Sequence, residues 1–515
     1  MSDNILEWID VGKLSAERDD HLSNYFFDNG VLKTVIDSPS SFLVLGRKGA
    51  GKTAIFRYLN NNPSEFLKEN EILVSLSFED YNWNVHSLLK NEYAAESLSY
   101  KQSWRFVILV EVIKAYSGFL QKNNEKIPGE LNRALKTLER LYGEPTPSIA
   151  VLIGRKLLSL GRISFPKLGL DSSDEDIDSV QIDGGEVSFD SVNNDAGMKD
   201  KLCNNVDYLI NYFESAIQSC YPLKSRVFIC FDRIDEAWDG ISADLSRKVI
   251  AGLVTAADTM TPKYKGYIRP LIFLREDIFE VLNLNDANKL REDCGALLQW
   301  DRDSLIKLML KRINYFAQIS GESTINEIDQ IFDKPEMRQR LKPMNYISKR
   351  SMMRPRDIIS LMGKTISSMR ESKNDPFGEE SSPSDKIEVE YIYEAEPKYS
   401  EWLRQEIIDE WAVQKPEIKI LLDAIQNNSS TNFTKSELLS ELKRIDATYA
   451  EDKINEHLRF LFDVSIIGFK IGQSSIWKYK CFYPTQGFID SEEYKVHDGL
   501  NRVLNLKEFR EKSDG

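Results

Sequence analysis

Three features of this sequence predict an α/β fold with a C-terminal winged-helix-like domain. The first is a short apolar run, Ser41 to Leu45, that meets a glycine-rich stretch and then a good helix start. The second is a pair of further apolar runs, Val227 to Phe231 and Pro270 to Leu274, each meeting charged residues at its end. Uninterrupted runs of this length fit strands of a parallel sheet covered on both faces. The third is a trio of helical patterns followed by two strand-like runs near the C-terminal end.

Each element follows in order. Residues 1–37 read as largely helical, until Ser38-Pro39-Ser40 breaks the pattern with turn residues. After the first strand, Ile72 to Phe78 alternates with period two and reads as another. Residues 100–165 carry helical periodicity. Between Asp171 and Asp195 stand nine acidic residues and no Lys or Arg, so a mobile insertion is expected near 171–197, with an acidic docking site as the sharper alternative. A helix near 200–220 leads into Val227 to Phe231, and helices follow Leu274 to about residue 370. Residues 371–386 have linker composition. Beyond it, Ile418–Ile425, Lys435–Leu442 and Ile454–Phe462 are helical, and Ile466–Ile471 with Ile476–Phe482 reads as a hairpin. The expected division is a core over 1–300, a lid over 301–370, a linker and connecting helix over 371–400, a winged-helix-like domain over 401–490 and a tail over 491–515.

Composition limits the function classes. The 515 residues exceed what one core supports, so two to four domains are expected. No apolar run approaches a membrane span: Phe106 to Leu120 is broken by Glu111, Lys114 and Ser117. The acidic N-terminus has no signal layout, and five cysteines without paired spacing suit reduced thiols, so a cytoplasmic protein is expected. A net charge of −14 argues against broad, non-specific nucleic-acid binding.

The chemistry is carried by Gly46-Arg47-Lys48-Gly49-Ala50-Gly51-Lys52-Thr53, which matches G-x-x-x-x-G-K-[ST], the P-loop. Strand, motif and helix (from Ala54) come in the order the site needs. Glycines let successive N–H groups wrap phosphates, and the helix N-terminus adds its positive dipole end. Lys52 is expected to bridge the β- and γ-phosphates and Thr53 to hold Mg²⁺. Asp232, ending an apolar strand, reads as the second Mg²⁺ residue of an ASCE-type nucleotide-hydrolysing core. Hydrolysis needs a carboxylate on the attacking water. Arg233 stands where that acid usually follows, leaving Asp235 or Glu236, with Glu236 slightly favoured; the plainer reading is that these acids cap the next helix. Arg275 reads as a γ-phosphate sensor or as an ion pair with Asp277. Arg354 and Arg356 open a helical segment and read as lid arginines reaching the phosphates, or as surface ion pairs. No guanine-recognition signature is visible, so ATP is expected over GTP.

In this order, GRKGAGKTA, DRIDEAW, LIFLREDIF and RPRDIISLM resemble bacterial STAND/AAA-like P-loop ATPases, near the KAP-type and archaeal Orc/Cdc6-like groups, over about residues 10–410. The resemblance implies a three-layer α/β core of the ASCE P-loop type, a helical lid, and ATP-dependent switching between assemblies. It also implies a setting among phage-defence and mobile-element genes, commonly beside an effector. The expected partners are therefore copies of the chain or an effector protein. Arg233 departs from the family pattern, and Arg350 is the nearest candidate for an arginine finger. Residues 415–490 carry ten Lys/Arg and ten Asp/Glu, which favours protein contacts over DNA for the winged helix. Lys470, Lys478 and Lys480 would form a small wing patch, while Phe460, Phe462, Trp477 and Tyr479 are spaced as core.

Overall fold

The computed structural model describes residues 4–78, 83–89, 100–162, 188–235, 243–373, 384–472 and 474–507. The chain divides into two compact units. A sheet unit comprises Gly30–Arg47 and Lys52–Leu298, and a helical unit comprises Met1–Asn29, Lys48–Gly51 and Gln299–Gly515.

The sheet unit contains five parallel strands: β1 (Leu43–Gly46), β2 (Ile72–Ser77), β3 (Val227–Asp232), β4 (Ile268–Arg275) and β5 (Gly295–Leu297), in the order β2-β3-β4-β1-β5. β4 therefore separates the P-loop strand from the strand ending at Asp232, the arrangement of an ASCE core. Its helices include α1 (Lys52–Asn61), α2 (Lys101–Lys122), α3 (Ala196–Ser219) and α4 (Ala243–Lys263). Period-two alternation sends successive strand residues to opposite faces. Ile229, Phe231, Ile272 and Leu274 join one cluster with α2, α3 and α4. Phe273, on the other face, meets Phe56 of α1 edge-on at 5.8 Å. Helices on both faces make the three layers.

Two details of the sheet escape sequence reasoning. Pro270 lies inside a central strand, where a missing N–H usually costs a ladder bond. Here Ile272 N–H donates to Phe42 O at 2.8 Å, so the N–H side two residues earlier points where β1 has not begun, and nothing is lost. Arg269 is fully buried and donates to the carbonyls of Ile36 (2.7 Å), Val35 (2.6 Å), Ser38 and Ser41 (3.0 Å). It ties the turn at the end of the short helix Val31–Asp37 to the sheet, where helix carbonyls lack partners.

The helical unit is built from α5 (Arg302–Ile319), α6 (Pro343–Arg350), α7 (Pro355–Lys373) and α8 (Glu390–Trp411). α9 (Ile418–Asn428), β6 (Asn432–Thr434), α10 (Lys435–Ile445), α11 (Ile454–Asp463), β7 (Ile467–Phe469) and β8 (Glu493–Val496) follow. The last six form a winged helix whose antiparallel sheet has the order β6-β8-β7. Leading residues join this unit too. Ile5, Ile9 and Val11 enter its core, and Arg312 holds Val11 O at 2.7 Å under the ring of Tyr25. Asn29 Nδ2 donates to Gln299 O at 2.8 Å, which staples together the points where the chain leaves for the sheet unit and returns.

Several expectations need correction. Residues 1–37 hold only short helical pieces, the longest being Val31–Asp37, because buried contacts and the left-handed Gly12 and Gly30 set this path. Residues 171–187 of the expected insertion lie outside the described residues, but Phe189–Asn193 is helical and α3 starts at Ala196. The second wing strand is not Ile476–Phe482, which contributes one isolated bridge, Phe469 with Lys478. It is β8, placed by expectation in a C-terminal tail, whose alternating buried Tyr494 and Val496 make it the sheet's central strand. No helix among the described residues is long and apolar enough to cross a membrane.

Candidate functional site

β1 delivers Gly46 to a turn that Arg47–Gly51 carry into α1. Gly49 (φ +79°) and Gly51 (φ +108°) adopt backbone angles that side chains rarely take, which is what the wrap requires. Lys52 Nζ donates to Gly46 O at 2.9 Å and Arg47 O at 3.2 Å. Burial lowers its pKa. Asp235, then Asp277 and Asp232, pull the other way, while Arg275 adds to the lowering. Those five groups thus share one electrostatic neighbourhood within the sheet unit. Thr53 and Ala54 occupy the first turn of α1.

Asp232 is buried at the end of β3, in register with Ser77. Burial first, and the Asp232 charge second, push the neighbouring Cys230 thiol up. Arg233 takes the left-handed conformation (φ 60°), turning the chain off the strand so that Asp235 follows a fully buried Ile234. Glu236 lies outside the described residues. Of the charged groups acting on Lys52, Asp235 acts most strongly.

Arg275 ends β4 and meets Asp277 twice, through Nε at 3.1 Å and Nη2 at 2.8 Å. Arg354 is no surface residue. It is buried, with Nε on Asp357 at 3.2 Å and Nη1 on Glu410 at 2.9 Å, and Nη1 also donates to Lys48 O at 3.1 Å. Arg356 pairs with Glu406 at 2.8 Å, and a Cβ added to Gly49 would lie 3.2 Å from its own Cβ. Both lid arginines thus stand at Lys48–Gly49. Arg350 is buried against Glu396 (2.6 Å) and the Tyr346 ring, so it does not stand ready as a finger for a neighbouring copy.

Sequence reasoning missed three participants. Glu406 and Glu410 are spaced one helical turn apart on α8, which matches Arg356 and Arg354. Trp300 donates its indole N–H to Ala50 O at 2.8 Å. The carbonyls of Lys48 and Ala50 are thus both engaged by side chains from outside the loop. The residues present fit a nucleotide polyphosphate: a glycine turn, a half-buried lysine, a helix N-terminus with Thr53, and an acid at a strand end.

Residues 303–408 match the family model of the FunZ-associated C-terminal helical domain. The chain is 24% identical to the transposon gamma-delta 80.3 kDa protein of Escherichia coli (strain K12), over 96% of this chain and 67% of that protein. Among solved structures it is similar to the Aeropyrum pernix Orc1 protein in complex with DNA (TM-score 0.36, 9% identity, 96% of each chain). It is also similar to Cdc6p from Pyrobaculum aerophilum (TM-score 0.28, 10% identity, 95% of this chain and 97% of that one). Likenesses this low carry no argument. The strand order and the P-loop stand without them, and they make this chain a P-loop protein of the ASCE fold, with a helical lid and a winged helix.

Proposed function

We propose that this chain is a slow regulatory ATPase, in which bound ATP and Mg²⁺ switch it between assemblies with itself or with a partner protein. The observation that supports this most is the convergence on Lys52, a half-buried ammonium that feels Asp232, Asp235, Asp277 and Arg275 at the head of a glycine turn. ATP supplies a phosphoryl group for transfer to water. Lys52 would hold the β- and γ-phosphates, and Thr53 with Asp232 the magnesium ion. Asp235 or Glu236 orients the water and takes its proton. Arg275, released from Asp277, would stabilise charge on the γ-phosphoryl oxygens, with Arg354 and Arg356 acting from the lid. Calorimetry with ATP and Mg²⁺ should give binding for the parental chain and none for Lys52→Ala. Glu236→Gln should bind ATP but stall; hydrolysis at the parental rate would pass the role to Asp235. No heat and no melting shift in the parental chain would end the proposal.

A role in phage defence is the finer reading and rests on the family resemblance alone; loss of protection in cells carrying Lys52→Ala would support it. A second reading, ATP-dependent DNA binding, is favoured by the cations on the wing: Lys470 lies 4.5 Å from the Trp477 ring centroid and Lys478 3.6 Å from that of Tyr483. The even charge count of this domain opposes it. DNA retention that falls steeply with salt would support it. A nucleotide-holding scaffold would differ from both by releasing no phosphate over hours.

A further inference from the structure

The helical unit contains a cavity of about 770 Å³, within the range of small-molecule sites. Its lining includes Trp300 and Arg302 at the start of α5, Lys349 of α6, and Trp477, Tyr483 and Lys495 of the wing. Both lining carboxylates are committed: Asp301 caps α5 by accepting from Ser304 N–H at 2.7 Å, and Asp498 pairs with Lys349 at 2.9 Å. Against these two carboxylates the lining sets three cations, Arg302, Lys349 and Lys495, which leaves one positive charge in excess. Lys495 Nζ lies 6.0 Å from the Trp477 ring centroid. Aromatic faces beside an excess of cations suit a ligand that is both flat and anionic.

We propose that this cavity binds a nucleotide of one or two units, with base on the wing aromatics and phosphate on Arg302 and Lys495. The same chemistry is offered by a free nucleotide and by the 5′-phosphorylated end of a single strand. Occupancy has a route to the phosphate loop, because Trp300 both lines the cavity and holds Ala50 O. Binding there and binding of ATP are then coupled, and by linkage each alters the other equally. The coupling rests on the ATP reading of the P-loop; the cavity as a ligand site does not.

The test uses full-length Lys52→Ala protein, so that the P-loop does not answer for the cavity. It is titrated calorimetrically with AMP, with the dinucleotide pApA and with a 5′-phosphorylated single-stranded oligonucleotide. At least one should bind, and the tightest identifies the source. Trp477→Leu and Lys495→Glu, each added to Lys52→Ala, should weaken it by about tenfold, the size of one lost base stack or phosphate contact. Lys495→Glu changes a half-exposed side chain and guards against a folding artefact. No binding by any probe, or binding indifferent to both changes, overturns the site. In the parental chain the bound probe should shift ATP affinity severalfold, and Trp300→Phe, which removes the indole N–H that reaches Ala50 O, should abolish that shift. An ATP affinity unmoved by the probe overturns the coupling. A parental chain that binds no ATP instead condemns the P-loop reading.

Discussion

In the sheet unit, Arg275 finds its carboxylate two positions along, at Asp277, where β4 ends. In the helical unit, Arg354 takes one partner three positions along, Asp357, and another 56 positions along, Glu410. The first pair is encoded locally, within three residues at one strand end. The second welds α7 to α8 and to Lys48, so its energy belongs to the fold. An ionic residue at a functional loop can thus be a working part or a rivet, and partner distance along the chain helps tell which.

Substitution can break this contrast. The largest effect is expected where a buried guanidinium serves many carbonyls. Arg269→Ala should cost the sheet unit roughly 4 kcal/mol, since four backbone acceptors lose their donor. Glu410→Ala should cost the helical unit about 3 kcal/mol by leaving Arg354 buried with one carboxylate fewer. Chemical denaturation followed by tryptophan fluorescence measures both. A cost for Glu410→Ala as small as that of Asp277→Asn would erase the difference between rivet and working part.

Acid should weaken both units through different histidines. Burial holds His86 of the sheet unit down to about 3 and His497 of the helical unit down to about 4. Above the ordinary histidine value neither state is protonated, and the full stability is present. As pH falls below about 6.5, the unfolded chain takes up protons that the fold refuses, so stability declines until the folded value is reached. For His497 the loss amounts to at most about 3 kcal/mol. Thermal scans between about pH 7 and 4.5 should show falling midpoints, and His497→Gln should flatten the pH dependence of the helical unit's transition. The smallest effect is expected for Asp277→Asn, about 1 kcal/mol in stability, with ATP turnover retained because Arg275 remains. Arg275→Ala should instead lower turnover by roughly tenfold or more while melting changes little.

Much of the sheet unit was legible because its signals are short-range. An apolar run meeting glycines gives β1 and its loop, and an apolar run ending in an acid gives β3. The winged helix was legible in its helices, where each apolar face repeats every third or fourth residue. Its second strand was not. Ile476–Phe482 alternates well enough, yet Glu493–Val496 wins the central place because Phe433 and Phe469 flank Tyr494 across the sheet, a choice settled by pairing and not by pattern. At the site, Lys52, Asp232 and Arg275 could be named from motif and strand ends. Glu406, Glu410 and Trp300 could not, since each meets its partner across at least fifty positions.

The staple between Asn29 and Gln299 has a consequence for dissecting the molecule. Because Asn29 and Gln299 are in contact, a short glycine–serine bridge from residue 29 to 299 should remove residues 30–298 without asking the remaining chain to span a gap. The excised piece, made separately from 30–298, would take with it the loop crown, residues 48–51, and leave the helical unit without it. Expressing the two halves independently would turn a question about one large polypeptide into two smaller ones, each crystallisable on its own terms.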